Sequence, residues 1–320
     1  MTWKASAGVA LARRRADMLE RARVFFRARD VLEVDTPALG RHAASDPNID
    51  SLRVAGPGGT TLYLQTSPES FMKRLLADGY PDIYGLGHVF RGGEAGRLHQ
   101  PEFTMLEWYR RGFGLDAMID ETVAFIADLL DRPDRAAAES LEYRDPFRQI
   151  TGIDPFAAST DELAEAASAD AGLRESHGDD RDAWLDLVLS TRVAAGFAAG
   201  RLTVLRHFPA SQAALARLCP QDGQVADRFE VFYGEMELAN GFVELRDPDE
   251  QRRRMLADLD KRRATGRKPV PLDEPLLAAL ESGLPRCAGV AVGLERILML
   301  ATGAGDIRNV MTFAFDDTGN

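Results

Sequence analysis

Residues 90–110 read FRGGEAGRLHQPEFTMLEWYR. A loop dense in glycine, arginine and histidine lies between an apolar run ending at Phe90 and a β-rich run starting near Glu102. The period-two alternation of a strand puts Phe103, Met105, Glu107 and Tyr109 on one face of the second run, and Thr104, Leu106 and Trp108 on the other. The latter face has the composition of a core. The former carries an aromatic ring, a carboxylate and a phenol in a row, which suits a ligand platform better than dry packing. A half-exposed strand without function explains that row alone, but not the row together with Arg91 and the glycine-rich loop.

Further strands are predicted at 31–34, 61–65, 83–86, 203–208, 229–233, 236–245 and 290–292, and helices at 7–29, 67–76, 116–130, 161–169, 181–199, 248–263 and 294–300. Strands follow strands through hairpin-like links rather than alternating strictly with helices, so the expected class is α+β, a largely antiparallel sheet flanked by helices. The Ala- and Asp-rich stretch 132–200 has helix signals but no convergent functional residues, and reads as a helical insertion in a single catalytic domain covering 1–320. No internal repeat is visible.

Composition narrows the class. A chain of 320 residues with 45% hydrophobic content buries a sizeable core. Its net charge of -11 argues against a generic nucleic-acid binder. Cys219 and Cys287 are far apart and form no CxxC, which points to neither a disulfide framework nor a zinc site and fits a reducing cytoplasm. No apolar run reaches the roughly 18 residues of a membrane span. The weakly apolar residues 5–12 precede Arg13, Arg14 and Arg15, the reverse of a signal peptide's order. A soluble cytoplasmic protein is expected. Arg13–Arg15 and Arg252–Arg254 read as solvated helix faces, and the histidines form no HExxH or paired metal spacing, His99 standing out only by its place in the loop.

A second feature is the run RFEVFYGEMELANGFVEL at 228–245, with Glu230, Glu237 and Glu244 at equal steps. If Tyr233 and Gly234 centre a hairpin, Glu230 stands directly opposite Glu237. Facing carboxylates repel, which a hard cation such as magnesium between them would relieve. Glu237 and Glu244 differ by an odd number, so a bulge at Asn240 and Gly241 is needed to put them on one face. The same positions also fit helical spacing, as a solvated face, but the aromatic and β-branched run 229–233 and the glycines favour strands. Two shorter signals complete the set. TSPE at 66–69 opens a helix with Ser67 as N-cap and Pro68 in the first turn, and on its own is more simply a cap than a site. GVAVGLER at 289–296 is a glycine-flanked strand running into a helix that carries an arginine able to reach a phosphate.

In this order the segments resemble the motifs of class II aminoacyl-tRNA synthetases: VLEVDTP at 31–37 is similar to motif 1, FRGGEAGRLHQPEFTMLEWY to motif 2, and GVAVGLER to motif 3. PEFTMLEWY, TSPE and ELANGFVEL narrow the resemblance to the lysyl branch, and only one helix precedes motif 1, which leaves no room for an anticodon-binding domain. The chain thus resembles the short elongation factor P lysine ligases. That resemblance implies the class II catalytic fold, a homodimer formed through motif 1, ATP and magnesium, and activation of lysine or (R)-β-lysine for transfer to elongation factor P without reading a tRNA anticodon. It implies catalytic roles for Arg91 and Arg296, with Arg91 on the α-phosphate and the amino acid carboxylate. Phe103 and Arg296 would sandwich the adenine, with Glu94, His99, Gln100, Glu237, Leu238 and Gly293 also in the ATP site. Glu230 and Glu237 would hold magnesium. Glu244 and Tyr109 would receive the substrate's side-chain ammonium and Glu69 an amino group, with Ser67, Glu107, Asn240 and Ala291 also at the amino acid. The chain departs from the usual lysyl-tRNA synthetase pattern in three places, the third of which it shares with the short ligases. Gly93 stands where motif 2 usually has its adenine-contacting acid, leaving Glu94 as the candidate, Gln100 replaces a common asparagine, and Ala291 occupies a position that is glycine in true lysyl-tRNA synthetases. Two other readings stay open: an adenylating ligase that uses a carrier protein or a tRNA as acceptor, and a catalytically silent regulatory paralogue.

Overall fold

A computed structural model describes residues 3–131 and 138–315. In chain order the strands are β1 (Leu32–Glu33), β2 (Leu39–Gly40), β3 (Arg53–Ala55), β4 (Thr61–Leu64), β5 (Ile83–Phe90), β6 (Glu102–Arg111), β7 (Glu139–Glu142), β8 (Leu202–Arg206), β9 (Arg228–Tyr233), β10 (Met236–Val243) and β11 (Cys287–Gly293). The α-helices are α1 (Val9–Arg27), α2 (Glu69–Ala77), α3 (Leu115–Leu129), α4 (Arg144–Thr151), α5 (Thr160–Ala166), α6 (Ala171–His177), α7 (Arg181–Val188), α8 (Pro248–Ala264), α9 (Glu274–Gly283) and α10 (Leu294–Thr302). Strand pairing is mostly antiparallel, as expected of the α+β class, with β1–β5 and β7–β8 parallel. The described residues fall into two compact units, one of residues 3–114, 128–131 and 244–315, the other of 115–127 and 138–243.

In the first unit β5, β6 and β11 form a continuous antiparallel ladder, β6 in the middle, with β1 parallel on the far side of β5. One face of β6 is dry because α1 covers it. Phe26 of α1 is fully buried, stacks on Tyr84 at 4.6 Å between centroids and meets the edge of Trp108 at 5.1 Å. Arg15, expected on a solvated face, is instead partly buried. It donates to Thr104 Oγ1 at 2.5 Å and pairs with the buried Glu295 at 3.5 Å, and Glu295 in turn accepts the Thr104 N–H at 2.9 Å. A carboxylate inside the unit needs a cation, and the arginine of the covering helix supplies it.

A small sheet in the order β2-β4-β3 packs through Tyr63 against Leu259 of α8 and Val270. Arg262, also on α8, is buried. It donates to the carbonyls of Asp46 and Ile49 and pairs with the Asp50 carboxylate at 2.8 Å. The Asp50 carbonyl accepts the Gly92 N–H at 2.7 Å, so this arginine indirectly anchors the start of the glycine-rich loop.

The second unit has β8, β9 and β10 antiparallel and β7 parallel to β8. Its core gathers Tyr143, Phe147, Trp184, Leu205, Phe208 and Phe232. The segment expected to be a helical insertion carries α4 to α7 but also β7, which its polar sequence ESLE hid; residues 132–137 of it lie outside the described residues. Where one helix was expected to 199, α7 stops at Val188 and a π turn (Leu189–Val193) and a 3-10 turn (Ala194–Gly196) follow. Among the described residues no helix is long and apolar enough to cross a membrane.

Replacing Phe26 by Ala removes a fully buried ring that two other rings depend on, and is expected to cost about 3–5 kcal/mol of stability. A urea unfolding midpoint unchanged from the parent would contradict this placement of α1.

Candidate active site

The outward face of β6 is as its alternation predicts. Across it, β5 sets Gly87 opposite Met105 and Gly85 opposite Glu107, while β11 sets Gly293 opposite Met105, Ala291 opposite Glu107 and Gly289 opposite Tyr109. A Cβ at Gly87 or Gly293 would meet nothing within 4 Å, so the floor between Phe103 and Glu107 is open. At Gly289 the reason for glycine is different. A Cβ there would lie 2.4 Å from Tyr109 Cε1 and 2.7 Å from Glu244 Oε1, so only glycine lets these two side chains sit over the strand.

Around Glu107 the polar groups converge. Tyr109 donates its hydroxyl to Glu107 Oε1 at 2.7 Å and Ser67 donates to Oε2 at 2.7 Å, while the Ser67 Oγ also accepts the Glu69 N–H at 3.0 Å. Pro68, not Ser67, is the N-cap of α2, and Ser67 stands one residue before it, where its hydroxyl meets the first helical N–H and serves the site as well. Glu69 lies on α2, and one turn on the same helix Lys73 places its ammonium 2.6 Å from Glu69 Oε1 and 2.6 Å from Glu244 Oε2. Glu244 Oε1 is buried without a hydrogen-bond partner. Burial raises the Glu107 pKa to about 7, with Glu69 adding to it and the Tyr109 and Ser67 hydrogen bonds opposing. Burial likewise raises Glu244 to about 8 against the pull of Lys73. Lys73 itself stays charged: burial would lower its pKa, but Glu244 and Glu69 hold it above its ordinary value. Burial, then Glu107, keeps Tyr109 a neutral phenol. Such a site is short of positive charge and suits a cationic ligand.

The glycine-rich loop gathers the other expected residues. Arg91 lies with its guanidinium carbon 5.2 Å from the Phe103 ring centroid, and its Nε is buried without a hydrogen-bond partner. An orphaned guanidinium donor is costly unless an anion takes it. Glu94 sits 3.8 Å from Arg91 Nη1. Gly93 has φ +78, a backbone region that disfavours other residues, so an acid at 93 would be strained and the carboxylate follows one position later. Arg296, on α10, donates through Nη2 to His99 Nε2 at 2.9 Å and through Nε to the Leu98 carbonyl at 3.4 Å, bringing motif 3 onto the loop. Gln100 is buried and its Oε1 accepts the Phe315 N–H at 2.7 Å, so the atom expected at ATP holds the backbone near the end of the described chain.

In the second unit the hairpin exists, with one correction. Glu230 pairs across the ladder with Asn240, and Glu237 pairs with Phe232, so the two glutamates are diagonal rather than directly opposed. The register shifts between Glu237 and Ala239, which puts the bulge at the buried Leu238 and not at Asn240 and Gly241. The extra residue restores parity all the same, and Glu237, Asn240 and Glu230 share a face. Arg228 bonds Glu230 Oε1 at 2.6 Å, Asn240 Oδ1 at 3.3 Å and the Gln212 carbonyl at 2.7 Å. Burial, then Glu237, raises the Glu230 pKa to about 8 in spite of that arginine. Two carboxylates on one strand face form a donor set of hard oxygens that fits a divalent cation.

Sequence reading missed Lys73 and Arg228. Lys73 was signalled by its i,i+4 spacing from Glu69, and Arg228 by its i,i+2 spacing from Glu230 on one strand face. It also missed that His207, Cys219 and Asp227 bring donor atoms within 4.8 Å of one another. Asp227 is held there by Arg217 and His207 Nδ1 by Glu142, and these contacts alone account for the group.

The family described as tRNA synthetases class II (D, K and N) matches residues 4–317. The chain belongs to that family. Its relatives include proteins named elongation factor P--(R)-beta-lysine ligase. The one from Pseudoalteromonas translucida is 46% identical over 97% of this chain and 97% of its own. Those from Photorhabdus laumondii and Vibrio cholerae are 45% and 43% identical, each over 98% of this chain and over 97% and 98% of their own lengths. The class II catalytic fold read from the three motifs is therefore the fold of this chain.

Two outcomes are expected from this geometry. Gly289→Ala should displace Tyr109 and Glu244 and lower amino-acid-dependent activity roughly 100-fold, with nucleotide binding retained; unchanged activity would contradict the close approach. A folded-state carboxyl pKa raised above its unfolded value gives stability that is present at low pH and lost as pH rises through about 7 at Glu107. Glu107→Gln should therefore gain about 1–3 kcal/mol on the ligand-free parent between pH 5 and 8, read from denaturation midpoints at each pH; a difference that does not change with pH would contradict it.

Proposed function

We propose that the chain is an ATP-dependent ligase that activates (R)-β-lysine as its adenylate and transfers it to a lysine ε-amine of elongation factor P, the activity named for its relatives. One observation carries this reading. The same compact unit holds buried carboxylates at Glu107 and Glu244 beside Glu69, and a guanidinium at Arg91 whose Nε lacks a partner. An amino acid with extra ammonium charge and a carboxylate meets both needs.

In the first step a carboxylate oxygen of the amino acid attacks the α-phosphorus of ATP, the bond to the β-phosphate oxygen breaks, and pyrophosphate leaves. Arg91 sits on the α-phosphate and the attacking carboxylate, countering charge that builds as they meet. Phe103 lies under the adenine and Arg296, with His99, closes over the nucleotide; Glu94 and Gly293 line it. Glu244 and Tyr109 receive the side-chain ammonium and Glu69 the other amino group, with Ser67 and Glu107 orienting them. The Ala291 methyl, opposite Glu107, shapes the pocket toward the β-amino acid. Glu230 and Glu237 would hold magnesium, which offsets triphosphate charge when bound. In the second step the acceptor's ε-amine attacks the carbonyl carbon, AMP leaves and the amine's proton is lost to solvent, so that an amide forms without an enzyme nucleophile. Positioning supplies most of the rate. The reading includes a cytoplasmic homodimer formed through motif 1, where Leu32 is exposed.

The test is ATP–pyrophosphate exchange with β-lysine and α-lysine, followed by intact-mass measurement of elongation factor P. Expected are exchange favouring β-lysine and addition of one β-lysyl group. No exchange with any diamino acid would overturn the activation chemistry, and labelling of a tRNA or a carrier protein instead would overturn the acceptor. Arg91→Ala should lower exchange about 100- to 1,000-fold. Glu230→Gln should raise the magnesium needed for half-maximal exchange; an unchanged requirement would remove Glu230 from the metal site.

A further inference from the structure

The chain has four lysines, Lys4, Lys73, Lys261 and Lys268, and carries most of its positive charge on arginine. Lys73 is the buried one; the other three are exposed. A compact ammonium, not a planar guanidinium, has been kept where two carboxylates meet. Its Nζ is 2.6 Å from one oxygen of Glu69, a turn earlier on α2, and 2.6 Å from one oxygen of Glu244. Glu244 is fixed independently through its backbone, which donates to the Cys287 carbonyl of β11 at 3.0 Å. The lysine thus ties a helix to the edge of the β11 strand through two carboxylates.

The tie leaves a pattern. Both Glu244 oxygens are buried without a hydrogen-bond partner; Oε2 has the Lys73 ammonium at 2.6 Å as its ion pair, and Oε1 lies where a Cβ on Gly289 would come within 2.7 Å of it. With Glu69, Glu107 and Glu244 ionised, three negative charges face one positive charge, which leaves two uncompensated. An amino acid with two ammonium groups balances that account, and one with a single ammonium does not. We propose that Lys73 is a positioning and specificity-determining residue: it holds one oxygen each of Glu69 and Glu244, so that the remaining oxygens face a substrate bearing two ammonium groups. The proposal rests on the functional reading above and deepens it.

The groups facing Lys73 and Glu244 are Glu69 from α2, Glu107 and Tyr109 from β6, and Cys287 from β11. Burial keeps the Tyr109 phenol and Cys287 thiol neutral, and burial raises the Glu107 and Glu244 carboxyls into the neutral range. Lys73→Met keeps the length and apolar stem and deletes the charge. Without it Glu107 and Glu244 hold protons that a diammonium substrate must displace. The expected result is a KM for β-lysine raised at least about tenfold, with kcat within a few-fold of the parent and KM for ATP unchanged. In the parent, KM for β-lysine should stop falling above about pH 8, where Glu244 is ionised. In Lys73→Met it should go on falling at higher pH. Propylammonium added to Lys73→Ala should restore part of the affinity, which a lysine that only fills space would not allow. If Lys73→Met does not fold, Lys73→Arg is measured instead; it keeps the charge but replaces the compact ammonium with a planar fork, so a KM for β-lysine raised a few-fold is expected at a retained melting temperature and with the parent's pH profile. An unchanged KM and pH profile, or no rescue of folded Lys73→Ala, overturns the proposal. A parent protein that exchanges with no diamino acid instead overturns the functional reading, so the two failures are distinguishable.

Discussion

Glu107 and Glu244 are buried beside Glu69 in one unit, and Lys73 is the cation that binds two of the three. Removing a carboxylate from water is expensive, and an incompletely neutralised group is more expensive still. Much of the first unit can be understood as the means of holding these groups in place. Trp108 and Phe26 make one side of β6 a rigid floor, and α2 is preceded by a serine whose hydroxyl reaches Glu107. Gly289 gives up its side chain so that Tyr109 and Glu244 fit above it. The fold tolerates the arrangement because a ligand of opposite charge completes it.

The same logic recurs with different partners in the second unit. Glu230 and Glu237 share one face of a hairpin, Arg228 covers one oxygen of Glu230, and burial, then Glu237, keeps the Glu230 pKa near 8. An arginine, with its fixed fork of donors, suits a site where a carboxylate must be oriented for a metal, whereas the first unit uses a lysine where a substrate ammonium must be matched. Both glutamate sets are strained in the ligand-free state, and in both the strain has the sign that binding relieves. Such opposition between local stability and ligand affinity is what a preorganised site entails.

How much of this could be read from sequence depended on the range of the interaction. The alternation on β6 is local, and it placed Glu107 and Tyr109 on one face and Trp108 on the other correctly. The need for a bulge in the glutamate strand followed from parity, but its place did not, because nothing local marks Leu238 over Asn240 and Gly241. Arg15 looked like a member of a wet triplet because its partner, Glu295, is hundreds of residues away. Lys73 was overlooked for a similar reason. Its i,i+4 pairing with Glu69 looks like an ordinary surface pair, and only the return of the chain at Glu244 shows that it is buried.

The most direct measurement is calorimetry of β-lysine binding at pH 7 in buffers of different ionisation enthalpy. With Glu107 titrating near 7 and Glu244 near 8 in the empty site, both hold protons for part of the time, and an arriving diammonium group should expel them, giving net proton release. Binding without proton exchange, or with uptake, would mean that the acidic pocket is not where the substrate's ammonium groups go.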